Sequence, residues 1–214
     1  MDGIIHIAGV MPRIGTTTVA LSLVNWLKQM GYEAAYVEAN AQDYIWGCTS
    51  LYADCVKDKL PGKITYNGID MYSKSRLPEL VEGGTHYNHL ICDYGSITAK
   101  AFDKKEFLNC GANVLVSGMK PNEIFHTELA LKDEALRKAI YVFNFIPEKD
   151  EKDILALMQD KASMTAFMPF SPDPFTLATG KQDADTVYLA HDCFMTVMDN
   201  AVRIIQGGEG NGEV

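Results

Sequence analysis

Two kinds of apolar pattern take turns along the chain. The run Gly3-Ile4-Ile5-His6-Ile7-Ala8 reads as a buried strand, and apolar positions at helical spacing (Val19, Leu23, Trp26, Leu27, Met30) follow it. Gly31 supplies the stop, and Glu33–Asn40 reads as a second strand. Further strands are expected at Gly68–Tyr72, His89–Gly95, Ala112–Ser117, Ala139–Phe145 and Ser163–Phe170. Helices are expected from Leu77, with Pro78 in the first turn, over 122–137 (Ile124, Leu129, Leu131, Leu136), over Glu148–Met158 and over 186–205. Residues 43–67 are hard to read, and within them Asp54–Lys59 is taken as a short helix ahead of Pro61-Gly62.

Strands alternating with helices predict a three-layer α/β fold, a mostly parallel twisted sheet with helices on both faces. Neither an internal repeat nor a linker interrupts the pattern, so one domain over 1–206 is expected, followed by a disordered, acidic, glycine-rich tail over 207–214. The 47% hydrophobic and 22% charged fractions of the 214 residues are those of a soluble globular protein. No apolar run approaches the ~20 residues that span a bilayer, and no export signal is visible, so a cytoplasmic location without membrane insertion is expected. Five scattered cysteines without a CxxC pair read as reduced thiols. A net charge of −9 without a lysine or arginine cluster argues against a nucleic-acid partner.

Candidate chemistry concentrates between the first strand and the first helix. Gly9-Val10-Met11-Pro12-Arg13-Ile14-Gly15-Thr16-Thr17-Thr18 has the layout of a phosphate-binding P-loop, with three threonines able to cap the helix. Helix N-termini attract anions through unpaired amides and the positive end of the dipole. A working P-loop reads G-x-x-x-x-G-K-[ST]. Here Gly15 and Thr17 fill the second glycine and the hydroxyl position, while Val10 replaces the first glycine, Thr16 replaces the lysine and Pro12 offers no N–H. The strand ending in Asp93 has the Walker B arrangement, in which the carboxylate and Thr17 serve a Mg²⁺ ion if nucleotide binds.

This order of motifs resembles the MinD/ParA group of P-loop NTPases, and within it the atypical CpaE/TadZ-like branch associated with pilus or secretion machinery. The resemblance covers Gly3 to about Ile205. The family loop K-G-G-x-G-K-[ST]-T lies on Met11–Thr18, so both lysines are missing; its D-x-D-x-Q lies on Glu38, Asn40 and Gln42. By the same resemblance Asn144 reads adenine, Pro169-Phe170-Ser171-Pro172-Asp173-Pro174 flanks the base, and Asp93 and Asn40 stand at the catalytic carboxylate positions. What the resemblance implies is ATP or ADP with Mg²⁺ held by Gly9, Pro12, Arg13, Ile14, Gly15, Thr16, Thr17, Thr18, Asn144 and Pro169, and a homodimer or another protein as partner. With three charges lost, it implies a degenerate localisation or assembly factor that binds nucleotide weakly or not at all. Two alternatives stay open: an active ATPase in which Arg13 replaces the lysine, and a nucleotide-independent interaction module.

Other features read as structural. His86-x-x-His89-x-x-Cys92 has metal-like spacing, but strand alternation sends His89 and Cys92 to opposite faces. Cys48 and Cys55 read as buried thiols. The last helix carries Asp192 and Asp199 with only Arg203, which suits core packing and not a membrane surface.

Overall fold

The computed structural model describes residues 3–83, 86–169 and 190–209. Nine strands, β1 (Gly3–Gly9), β2 (Ala34–Glu38), β3 (Val56–Lys57), β4 (Lys63–Tyr66), β5 (Ile69–Ser73), β6 (His89–Ser96), β7 (Ala112–Ser117), β8 (Ile140–Ile146) and β9 (Thr165–Pro169), form one sheet. Seven helices are described: α1 (Thr16–Gln29), α2 (Tyr44–Leu51), α3 (Leu77–Glu82), α4 (Lys104–Leu108), α5 (Pro121–Lys132), α6 (Glu151–Met158) and α7 (His191–Glu209). The strand order is β3-β4-β5-β2-β6-β1-β7-β8-β9, parallel from β5 through β9. This is the expected α/β architecture. Every residue of β2 and β6 is buried, because a parallel sheet is covered on both faces; their near-continuous apolar sequences follow from that.

Sequence order reverses across the sheet beside β1: β2 lies beyond β6 on one side, β7 on the other. Such a switch point opens a crevice at the carboxyl ends of the strands, where ligands of open α/β sheets sit. The loop after β1, the start of α1 and the ends of β2, β6, β7 and β8 all converge there.

The expected helix at Asp54–Lys59 is replaced by strand: Val56–Lys57 pairs antiparallel with β4, and β4 pairs antiparallel with β5. Asn67 and Gly68, both at positive φ (47° and 74°), make the two-residue turn from β4 to β5. An Asn-Gly pair between strand-like segments is the strongest short-range hairpin signal, and it is what the helical reading of this region overlooked. The helix expected over 122–137 stops at Lys132, because Asp133 turns extended and its carboxylate accepts the amides of Ala135 and Leu136 to start a separate 3-10 turn. The last helix runs through Gly207 and Gly208 to Glu209, so the first residues of the expected tail are helical. Residues 186–189 and 210–214 lie outside the described residues. Within α7, Cys193, Phe194, Val197 and Ala201 are buried, in keeping with a core role.

A buried histidine sits in the central strand. His6 is 3% exposed; its Nδ1 donates to the carbonyl of Phe107 at 2.8 Å, and its ring lies 4.6 Å from that of Tyr94. Burial holds its pKa below the ordinary value, so the neutral ring is the folded form. The unfolded chain binds a proton near pH 6.5 that the folded chain refuses until lower pH. The stabilisation is therefore complete above about pH 6.5 and is lost as pH falls through the folded pKa. Urea unfolding between pH 7.5 and 5.5 should show falling stability, and His6→Gln, which keeps a donor but does not titrate, should flatten that slope.

Candidate functional site

The loop from Val10 to Gly15 joins β1 to α1 under tight steric rules. A Cβ on Gly9 would stand 2.4 Å from Thr16 Oγ1 and 2.6 Å from Ile14 Cγ2. Gly15, at φ 91°, is the N-cap of α1, and a Cβ there would stand 2.2 Å from Asn144 Nδ2. The threonines therefore lie inside the first turn and do not cap it, contrary to the expected arrangement: among the described residues no side chain caps this helix. The first amides of α1 have no intrahelical partners by construction, and the dipole there favours an anion. Thr16 is buried with its hydroxyl turned toward Gly9, whereas Thr17 and Thr18 are part-exposed.

Asp93 is fully buried at the end of β6. One carboxylate oxygen, Oδ2, accepts the Thr17 hydroxyl at 2.6 Å and the Tyr36 hydroxyl at 3.0 Å; the other, Oδ1, accepts the Gly95 amide at 2.8 Å. Burial raises its pKa, and these hydrogen bonds oppose the rise. Asn40 donates through Nδ2 to the Asp93 main-chain carbonyl and accepts the Gln42 amide, closing a short turn over Gly95. Glu38 points elsewhere: its carboxylate accepts the amides of Tyr44 and Ile45 and so holds the start of α2. Of the three D-x-D-x-Q positions, Gln42 lines the recess by the loop, Asn40 braces Asp93, and Glu38 anchors a helix.

Two hollows flank the loop. A recess of 120 Å³ is lined by Pro12, Arg13, Gly15, Thr16, Thr17, Thr18, Gln42 and Gly95. A cavity of 380 Å³ lies on the other side of Arg13, bounded by Ile14, Gly15, Lys120, Glu123, Asn144 and Phe145 among others. Arg13 borders both and holds a left-handed backbone, φ 63°. Asn144 donates through Nδ2 to the Ile14 carbonyl at 2.9 Å, while its buried Oδ1 has no hydrogen-bond partner among the described residues. Met11, at the place of the family's first lysine, has its sulfur 3.4 Å from Asn122 Nδ2 on α5. Pro169, at the end of β9, pairs with Ile146 of β8 and does not line either hollow; residues 170–174, the rest of the expected base-flanking segment, lie outside the described residues.

Tyr36, Lys120 and Phe145 escaped the sequence reading. Strand alternation puts Tyr36 on the same face as Glu38, a usable signal for a polar contact at this strand end. Lys120 and Phe145 are at the site only because β7 and β8 end beside the loop; Phe145 also has positive φ, 57°, and non-glycine residues in that region cluster at functional sites. Among the described residues no group of three or more His, Cys, Asp or Glu is arranged to hold a metal, and no helix is long and apolar enough to cross a membrane.

No family model matches the chain, and no curated protein matches it significantly in sequence. Solved structures do match. The MinC:MinD cell division protein complex of Aquifex aeolicus aligns with TM-score 0.66 at 14% identity over 95% of both chains. MinD of Aquifex aeolicus aligns with TM-score 0.66 at 15% identity over 95% of this chain and 96% of that one. A plasmid partition protein of Borrelia burgdorferi, solved with AMPPNP, aligns with TM-score 0.62 at 12% identity over 95% of this chain and 99% of that one. With the parallel sheet, the switch point and the glycine-bounded loop in place, the chain has the fold of the MinD/ParA P-loop NTPases.

Proposed function

We propose that this chain is a degenerate ParA/MinD-type protein that binds an adenine nucleotide weakly, without efficient hydrolysis, and works as a localisation or assembly factor of the CpaE/TadZ-like kind. The observation that carries the nucleotide reading is Asn144. Its Nδ2 is committed to the Ile14 carbonyl, so the amide orientation is set, and its buried acceptor Oδ1 is left unpaired among the described residues, on a side chain that lines the 380 Å³ cavity. A lone acceptor matches the exocyclic amine of adenine and rejects the carbonyl at the same place in guanine. The uncapped α1 with Arg13 beside it supplies an anion site on the same loop.

Slow turnover follows from electrostatics. Phosphoryl transfer depends on positioning and on charges aimed at the transferred group. Met11, Thr16 and Asn40 stand where the family carries two lysines and a carboxylate. A role in recruiting a protein is supported by the neighbour solved as a MinC:MinD complex, and the net charge of −9 disfavours DNA as the partner.

Calorimetric titration tests the reading. ATP or ADP should bind and GTP should not, and Asn144→Ala should cost about tenfold in adenine-nucleotide affinity, the value of one buried hydrogen bond. Phosphate release should stay far below a turnover on the order of 1 s⁻¹; turnover at or above that rate would sink the non-hydrolysing role.

A further inference from the structure

The P-loop fold implies Mg²⁺ beside the phosphates, yet the donor set here does not fit it. Mg²⁺ takes near-octahedral oxygen ligands, commonly one or two carboxylates with phosphates and water. Asp93 is fully buried, and its carboxylate already accepts three protein donors. Tyr36, itself fully buried, occupies with its hydroxyl an acceptor position on Oδ2 that a metal-bound water would need. Asn40 and Gln42 pack over Gly95, with Asn40 Cβ and Gln42 Nε2 each 3.1 Å from where a Gly95 Cβ would stand. Glu38 is spent on the amides of Tyr44 and Ile45, and Asn40 is a neutral amide. What remains in the recess among the described residues is neutral oxygen, the hydroxyls of Thr17 and Thr18 and the side-chain amide of Gln42.

From this we infer that the site takes its nucleotide without a divalent metal and favours a low phosphate charge, ADP over ATP, with Tyr36 as the residue that holds Asp93 away from metal duty. The inference rests on the nucleotide reading above and deepens it. The positive charge facing the phosphates is Arg13 and about half a charge from the start of α1. Lys120 borders the larger cavity, but its ammonium is 3.4 Å from the Glu123 carboxylate. With both lysine positions neutral and no metal, a third phosphate adds negative charge with no further cation opposite it among the described residues that line the recess. Tyr36 acts through Asp93 and is a positioning residue.

The test is titration of ADP and of ATP into the full chain, in excess Mg²⁺ and again in EDTA, with Mn²⁺ electron paramagnetic resonance as an independent reporter. ADP affinity should agree within about twofold between the two buffers, and ADP should bind more tightly than ATP. The free Mn²⁺ signal should not fall when protein and ADP are added together, beyond what ADP alone removes. Loss of about tenfold or more in ADP affinity in EDTA, tighter binding of ATP than of ADP, or stoichiometric capture of Mn²⁺ would each overturn the inference while leaving nucleotide binding intact. No heat from any nucleotide in either buffer would overturn the nucleotide reading, and this inference with it. Tyr36→Phe frees an acceptor position on Asp93 and should capture Mn²⁺ in the presence of ADP; a folded Tyr36→Phe as indifferent to metal as the wild type overturns the role given to Tyr36. Should that core variant not fold, Asn40→Asp, which adds a carboxylate beside Asp93, tests the donor set directly: Mn²⁺ captured in the presence of ADP supports a site that lacked only a free carboxylate, and continued indifference overturns that account.

Discussion

Gly15→Ala should lower the melting temperature by about 4–20 °C, at about 2–4 °C per kcal/mol for a chain of this size. Two costs add. A residue with a Cβ at φ 91° bears about 1–2 kcal/mol of left-handed strain. The new Cβ would also fall 2.2 Å from Asn144 Nδ2, so the bond from Asn144 to the Ile14 carbonyl must break. A buried amide left without its partner costs about 1–3 kcal/mol. Gly31→Ala separates the two terms: its φ is 88°, but nothing lies within 4 Å of the added methyl, so only the strain of about 1–2 kcal/mol applies. Paired thermal melts of the two variants should thus differ by the clash alone. Equal shifts would mean that the Gly15–Asn144 contact contributes nothing. Adenine-nucleotide binding should also be lost in Gly15→Ala, because the same contact orients Asn144.

Arg13→Gly should weaken binding without weakening stability. Arg13 sits at φ 63° on the loop tip, where glycine is at home. Relief of about 1–2 kcal/mol of strain outweighs or balances the roughly 0.5–1 kcal/mol of extra backbone entropy that glycine loses on folding. The variant should melt at the same temperature as the wild type or slightly above it. Nucleotide affinity should nevertheless drop by about 10–100-fold, because a charge-assisted hydrogen bond of about 1.5–3 kcal/mol is removed. Arg13→Ala keeps the strain and loses the charge, so it should bind as poorly as Arg13→Gly while melting lower. Arg13→Lys should fall between, since an ammonium keeps the charge but not the two-pronged geometry. Affinity unchanged in all three variants would place the guanidinium away from the phosphates. A residue held in a strained conformation with no packing gain is a signature of function, and this series measures it.

These variants also bear on the deeper inference. If Tyr36 keeps Asp93 from a metal, Arg13 is the one full cation among the described residues lining the phosphate recess, and its removal cannot be offset by added Mg²⁺. The Arg13→Ala deficit should therefore be the same in Mg²⁺ and in EDTA, a check made in the same titrations.

The sequence by itself determined the frame. Apolar runs at Ile4–Ala8 (broken only by His6), Leu90–Cys92 and Val114–Val116 can be buried only in a sheet covered on both faces, and helical spacing between them makes the sheet parallel. The glycines at 9 and 15, the hydroxyl at 17 and the aspartate at 93 were legible because turn geometry and strand ends restrict which residues fit. The hairpin after α2 was legible too, in Asn67-Gly68, although the stretch Asp54–Lys59 ahead of it reads as a short helix. Only the tertiary structure decided how the polar groups are spent. Glu38 and Asn40 are two residues apart on one motif, yet one caps α2 and the other braces Asp93, because the chain bends between them. Tyr36 reaches Asp93, and Asn144 reaches Ile14, across 57 and 130 residues of sequence. Neither contact leaves a periodic trace, since a single hydrogen bond between distant strand ends does not change the local pattern of either strand.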